Sequence, residues 1–316
     1  MTNAGEPLLL LDSASLYFRA YYGVPDSIKA PDGTPVNAVR GFLDMIAQLV
    51  TDRRPSRVVA CWDDDWRPAF RVAAIPSYKE HRLAADGGEE VPPALTAQVP
   101  VIVESLAALG IARAGAPGFE ADDVIGTLVA REVAQDGRRA PVEVVTGDRD
   151  LFQLVDDAAG VRVLYPVKGV KNLQVVDQGY LQERYGVETG VAYADMATLR
   201  GDPSDGLPGV AGVGEKTAAS LLRKHGTLAG VLAAVEAGEV SAGQQAKFRA
   251  AWDYLAVAPT VVRVAHDAPV ADVDDTLPDA PADPAAVAAL AERWNLTSSM
   301  TRVVQALTAA GERRAG

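Results

Sequence analysis

Four short apolar runs stand out in the first half of the chain, at 8–11, 57–62, 142–146 and 161–165. Each is brief and mostly aliphatic or β-branched, the pattern of a strand buried on both faces. Between them the apolar residues switch to a helical period. One helix is expected over 36–51, with Val36, Val39, Phe42, Leu43, Ile46 and Leu49 on its apolar stripe; others are expected over 95–109 and 122–135. Strands separated by helices imply a mixed α/β fold with a largely parallel central sheet flanked by helices. Segment 83–93 is a polar, Gly- and Pro-rich break, expected to be mobile and to form part of a lid or arch. From about 186 to 258 the helical period dominates. An acidic, Pro-rich linker follows at 267–284, then helices near 284–294 and 300–310 and a frayed tail at 312–316.

The polar positions that end these runs are unusually acidic. Asp12 follows the first strand, Asp63 the second, and Asp148 and Asp150 the third, while Glu120, Asp122 and Asp123 open a helix. Acids at the ends of several strands of one sheet converge on the edge where open α/β sheets build their sites, provided the strands are neighbours. An Asp after a strand is also an ordinary turn residue or helix cap, so any one of these positions has a purely structural alternative. Together they form a cluster that needs a cation: two carboxylates about 4 Å apart repel by roughly 4 kcal/mol at an effective dielectric near 20. Oxygen-only ligands favour Mg²⁺ or Mn²⁺.

Composition narrows the class. At 316 residues, 48% hydrophobic and 23% charged, the chain has room for one large or two modest globular domains. No apolar run is long enough to cross a bilayer, and residues 1–6 lack a basic leader, so a cytoplasmic protein without a membrane partner is expected. The single cysteine, Cys61, excludes an internal disulfide and is expected to be an inert core residue. Three dispersed histidines argue against a His-rich metal site. The net charge of −12 is a poor guide to partners, because acids concentrate at the candidate site and in the 267–283 linker. Basic residues gather elsewhere, as Arg67, Arg71, Lys79 and Arg82, then Lys168 and Lys171, then Lys216, Arg223 and Lys224.

A second dense signal runs from Gly201 to Ala218. It fails as a phosphate-binding P-loop, since Glu215 separates Gly214 from Lys216-Thr217 and no buried strand precedes it. What remains is a glycine-rich hairpin entering a helix near Glu215. Gly209, Gly212 and Gly214 let the backbone approach a ligand, the helix start offers N–H groups to phosphate, and Lys216 and Thr217 add a charge and a hydroxyl. Such a hairpin grips a nucleic-acid backbone without reading sequence. Asp202 and Asp205, just before it, are either caps or further metal ligands.

These stretches resemble the 5′ nuclease domain of bacterial DNA polymerase I and its free-standing 5′-3′ exonuclease and flap endonuclease relatives. The resemblance rests on Leu9-Leu10-Leu11-Asp12, Trp62-Asp63, Pro76 to Arg82, Gly118-Phe119-Glu120-Ala121-Asp122-Asp123, Thr146 to Leu154, and Gly201 to Ala218. It implies a PIN-like nuclease core at 1–185, with a helical arch at about 70–100, and a helical DNA-binding region at 186–316 with a helix-hairpin-helix at about 201–225. It further implies a metal cluster of Asp12, Asp63, Glu120, Asp122, Asp123, Asp148, Asp150, Asp202 and Asp205. Lys79 and Arg82 would contact the scissile phosphate and Arg71 the DNA, while Tyr78 either stacks on a base or packs in the core. Backbone carbonyls of Val210 and Val213 would hold K⁺. No polymerase domain follows, so a stand-alone monomer acting on DNA with a 5′ flap or 5′ end, beside a polymerase and a ligase, is the expectation. The chain departs from the family pattern in three ways. Gly206 replaces the usual Asn. The Asp63-Asp64-Asp65 run leaves the second ligand dependent on strand register. Asp86, Glu89 and Glu90 make the arch less basic than its relatives'.

The implied chemistry is two-metal hydrolysis of a DNA phosphodiester. Its rivals are a non-catalytic DNA-binding module, a phosphotransferase built on Asp148-x-Asp150, and an RNA-cleaving enzyme on a related core. The phosphotransferase is disfavoured because its Asp-x-Asp normally follows the first core strand, not a late one.

Overall fold

In the computed structural model, which describes residues 5–135 and 140–315, the four apolar runs become strands of one sheet. Strands β1 (Leu8–Asp12), β2 (Arg57–Cys61), β3 (Ala112–Ala114), β4 (Val142–Val145), β5 (Val161–Pro166) and β6 (Leu173–Val176) lie in the order β3-β2-β1-β4-β5-β6. The first five are parallel, and β6 runs antiparallel at the edge. Leu11 sits beside Ala60 on one side and Val145 on the other, so β1, β2 and β4 end in register at a common edge. The strands carrying the candidate acids are therefore neighbours, and the order reverses beside β1, where such sheets open a crevice. β3 and β6 escaped the sequence reading because both are short and only partly apolar. The basic-leader reading of residues 1–6 falls mostly outside the described residues.

Helices cover both faces, which is why the strands read as continuous apolar runs rather than alternating ones. Leu8 and Leu10 face a core shared with α6 (Ala121–Val133), whereas Leu9 and Leu11 face the opposite one. That second face is closed by α1 (Ser13–Gly23), α2 (Asn37–Arg53) and α5 (Val99–Leu109). The short helices α3 (Ala69–Ala74) and α4 (Pro93–Thr96) lie between β2 and α5. The single helix expected over 95–109 is broken before Val99, where Pro100 takes one of the first helical positions and donates no N–H to a preceding turn.

The helical region comprises α7 (Gln178–Tyr185), α8 (Gly190–Arg200), α9 (Glu215–His225), α10 (Leu228–Glu236), α11 (Ala242–Ala250) and α12 (Trp252–Val262). Its Leu199, Val210, Val213 and Leu222 join the same core as Leu8 and Val144, so the apolar interior runs unbroken past residue 185. The last two helices, α13 (Pro284–Arg293) and α14 (Thr297–Ala315), return to the first unit, against α5 and α2. They get there along the acidic linker, which is pinned across the start of β2: Asp275 O accepts from Val58 N at 2.8 Å, and Leu277 is buried. The linker acids have specific partners, Asp275 with Arg57 and Asp279 with Arg314, so they are not a free negative tail. That last contact also holds α14 helical through Ala315, where a frayed tail was expected.

Candidate nuclease centre

Each acid reaches the common edge for a local reason. Asp12 ends β1 and caps α1, its Oδ1 accepting from Ser15 N at 3.1 Å, and Thr146 Oγ1 donates to its Oδ2 at 2.6 Å. That bond ties the end of β1 to the end of β4. Beyond β4, Gly147 N donates to Ser15 Oγ at 2.8 Å, Asp148 N to Thr146 Oγ1 at 2.8 Å, and Asp150 N to Asp148 Oδ1 at 2.9 Å. The tight turn presents Asp148 to solvent and Asp150 to the cleft. From β2, Asp63 Oδ1 accepts from Ala121 N at 2.8 Å, at the positive start of α6, where Glu120 and Asp122 project. Asp65 caps Arg67 N, and of the three consecutive acids Asp63 is the one held against α6, while the exposed Asp64 also lines the cleft.

Asp12, Asp63, Glu120, Asp122, Asp148, Asp150 and Asp202 line one open cleft of about 960 Å³, together with Lys79 and Arg82. Burial, then mutual repulsion with Asp63 and Asp148, pushes the Asp12 carboxyl up to about 7 despite the Thr146 hydrogen bond. Burial also raises Glu120 to about 7 against the pull of Lys79 and Arg71, and it raises Asp63, Asp122 and Asp150. A wall of acids that resists ionising is one short of positive charge. Among the described residues no three His, Cys, Asp or Glu side chains converge closely enough to hold an ion as they stand. Protein cations among the described residues pair with three of the acids only: Lys79 Nζ lies 3.0 Å from Glu120, Arg82 2.8 Å from Asp205, and Arg200 3.6 Å from Asp202. Burial works against the Lys79 ammonium, but Glu120, Tyr78, Asp205 and Asp122 around it together outweigh that and hold its pKa up. The donors are all oxygens, the set that suits hard divalent cations.

Three expected site residues are placed otherwise. Asp123 is 0% exposed and points away from the cleft, and both its oxygens accept from Arg71, at 2.6 and 2.7 Å. Ala265 N and Glu120 N complete its hydrogen bonds, so no lone pair remains for a metal. Arg71 is 2% exposed and cannot touch DNA; it also donates to Val261 O at 3.0 Å, joining α3 to the end of α12. Tyr78 is likewise buried, its hydroxyl donating to both Glu120 oxygens at 2.9 and 3.0 Å, so it orients a cleft acid and has no free face for a base.

The arch is also not a long helix. Lys79 adopts a left-handed backbone (φ 49°), and Glu80–Arg82 form one short 3₁₀ turn. Pro76 and Gly87 limit any helix between them to the ten residues 77–86, and Gly88 and Pro92 break the segment beyond. This segment docks on the turn carrying Asp202 and Asp205. Ser77 Oγ donates to Gly206 O at 2.9 Å, Lys79 N to Asp205 O at 3.1 Å, and Arg82 to Ser204 O at 3.1 Å. Gly206 is at φ +74°, and a Cβ there would lie 2.1 Å from Ser77 O. The glycine that departs from the family pattern is thus what lets the segment sit this close.

The glycine hairpin joins α8 to α9 and is continuous with the acids. Asp202 N donates to Leu207 O at 2.9 Å, and Gly209 packs so tightly on Arg200 O that a Cβ would sit 2.3 Å away. Val210 and Val213 bury their side chains, leaving Gly212, Gly214 and Lys216 exposed, with Thr217 half-buried behind them. Lys247, from α11, reaches over Gly212; a lone lysine in an ordinary helix gave no sign of this in the sequence. Arg149, Arg200 and Trp66 also line the cleft, unremarked for the same reason.

Residues 7–186 match the family described as 5′-3′ exonuclease, N-terminal resolvase-like domain, and residues 189–284 the one described as 5′-3′ exonuclease, C-terminal SAM fold. A 5′-3′ exonuclease of Streptomyces coelicolor is 60% identical over 308 residues, covering 95% of this chain and 100% of the relative. A DNA polymerase I of Mycobacterium bovis is 39% identical over 315 residues, 98% of this chain but 32% of that protein. The fold is similar to that of the T5 D15 protein co-crystallized with metal ions, with a TM-score of 0.64 at 15% identity, covering 96% of this chain and 99% of that one.

Proposed function

The chain belongs to the 5′-3′ exonuclease family, and on that premise we propose that the cleft hydrolyses phosphodiesters of DNA at a 5′ flap or 5′ end with Mg²⁺ or Mn²⁺. The observation that carries this reading is the convergence of Asp12, Asp63, Glu120, Asp122, Asp148, Asp150 and Asp202 on one cleft facing Lys79 and Arg82. Two divalent ions, when bound, supply the Lewis acidity that activates water and neutralises the leaving oxygen. The carboxylates hold them, with Asp205 at the margin, where it pairs with Arg82. Lys79 and Arg82, paired with Glu120 and Asp205, turn to the scissile phosphate and stabilise the charge that builds there. Tyr78 keeps the Glu120 carboxylate facing the cleft. Gly212, Gly214, Lys216 and Thr217 grip the duplex backbone, Gly209 shapes the turn, and the Val213 carbonyl and that of Val210, which also accepts from Val213 N at 2.9 Å, would hold K⁺. None of these contacts reads sequence, which suits an enzyme that recognises a duplex–single-strand junction as a monomer beside a polymerase and a ligase.

The test is cleavage of a 5′-labelled flap duplex with Mg²⁺ or Mn²⁺, with a chelator control and Asp148→Ala alongside. Metal-dependent release of the 5′ strand by the parent, with Asp148→Ala binding the junction but cutting at least about 10³-fold more slowly, is expected, a loss of roughly 4 kcal/mol. Retained binding without cleavage by the parent would instead make the chain a non-catalytic DNA-binding module.

A further inference from the structure

The segment from Leu83 to Glu90 is folded where a mobile break was expected. Leu83 and Glu89 pair as an antiparallel bridge, Glu90 N donates to Arg82 O at 2.8 Å, and Ala84 N to Gly88 O at 2.8 Å. Gly87, at φ +85°, makes the tip. The result is a small hairpin hung directly from Arg82. It places Glu89 and Glu90 on the cleft wall with Asp63, Lys79 and Arg82. Glu89 is half-buried there; burial and then Asp63 raise its carboxyl above the usual range, while Lys79 and Arg82 favour its charged form. No hydrogen bond satisfies its carboxylate among the described residues, and it lines the same cleft as the two cations.

We propose that Glu89 is a specificity-determining residue that repels the phosphates of a single strand passing Lys79 and Arg82, so that long 5′ flaps are disfavoured relative to 5′ ends at a nick. This rests on the nuclease reading above. A long flap must carry a run of phosphates past the hairpin, whereas a nick presents only its terminal one. One carboxylate on the wall of a cleft whose dielectric lies between those of bulk water and protein changes the relative binding of the two substrates by roughly 3- to 10-fold. The effect is screened by salt, because the cleft is open.

The experiment measures kcat/KM on a long 5′ flap and on a nicked duplex, at low and high salt, for the parent, Glu89→Gln and Glu89→Lys. The flap-to-nick ratio is expected to rise roughly 3- to 10-fold in Glu89→Gln at low salt. It should rise further in Glu89→Lys, and both gains should shrink at high salt. A ratio that stays at the parent value in both variants overturns the inference. So does weakened Mn²⁺ binding by DNA-free Glu89→Gln in calorimetry, which would make Glu89 a metal ligand. A parent that cleaves neither substrate takes down the nuclease reading itself, an outcome distinct from an unmoved ratio.

Discussion

Asp122 and Asp123 are neighbours in the first turn of one helix, and the fold puts them to opposite uses. Successive side chains on a helix point roughly 100° apart, so when one faces the cleft the next faces the interior. Asp122 looks across the edge at Asp148, Asp12 and Glu120. Asp123 meets Arg71 in a buried, bidentate pair that fastens α3 and the end of α12 to α6. One acid lacks compensating charge and is poised for a ligand from outside. The other has its full complement and holds the frame. The contrast shows that metal-cluster membership is decided by which partner is within reach, not by acidity.

The largest effect that sharpens this contrast is on catalysis. Asp122→Ala is expected to lower flap cleavage by about 10³-fold or more, near 4 kcal/mol, while leaving the melting temperature in chelator unchanged or higher. An unfolded Asp122→Ala would break the comparison. Next, Asp123→Ala leaves Arg71 charged and buried with only the more distant Glu120, 3.6 Å away, which should cost roughly 3–5 kcal/mol of folding stability in a denaturant titration. A variant as stable as the parent would show that the pair is not what holds α3 and α12. The smallest effect concerns pH. Asp12 and Glu120 titrate near 7 in the folded protein, well above ordinary carboxylates. Between about pH 4 and 7 the folded state therefore keeps protons that the unfolded chain has released, and its metal-free stability falls as pH rises through that window. Bound Mg²⁺ displaces those protons, so the gain in melting temperature from saturating Mg²⁺ should be larger at about pH 8 than at about pH 5. A gain independent of pH would detach these acids from the ion.

Much of this was legible beforehand. The strands β1, β2, β4 and β5 were visible because each is a short, mostly aliphatic run in which Arg57, Glu143 and Arg162 are single interruptions. The acids were visible because Asp12, Asp63, Asp148 and Asp150 come soon after such runs, Glu120 and Asp122 open a helix, and Asp202 precedes a dense glycine motif. Asp12, Asp63, Glu120, Asp122, Asp148, Asp150 and Asp202 do share a cleft. Asp123, Arg71 and Tyr78 were misplaced because charge and aromaticity say what a side chain can do but not which way it faces. The return of α13 and α14 to the sheet was hidden because their apolar stripes fit any partner of the same period. The arch at 83–90 read as loose because its few hydrogen bonds are between backbone groups, which composition does not reveal.

Local pattern alone determined that this chain would be α/β, where its buried strands lie, and that carboxylates end them, because periodicity and chain proximity are properties of neighbouring residues. Only the tertiary structure decided that β1 lies between β2 and β4, and that Arg71 neutralises Asp123 while Lys79 reaches Glu120. It alone brought the hairpin with Glu89 over the same cleft. Those outcomes depend on contacts between residues far apart in sequence, and a charge's role is set by the partner that packing brings beside it.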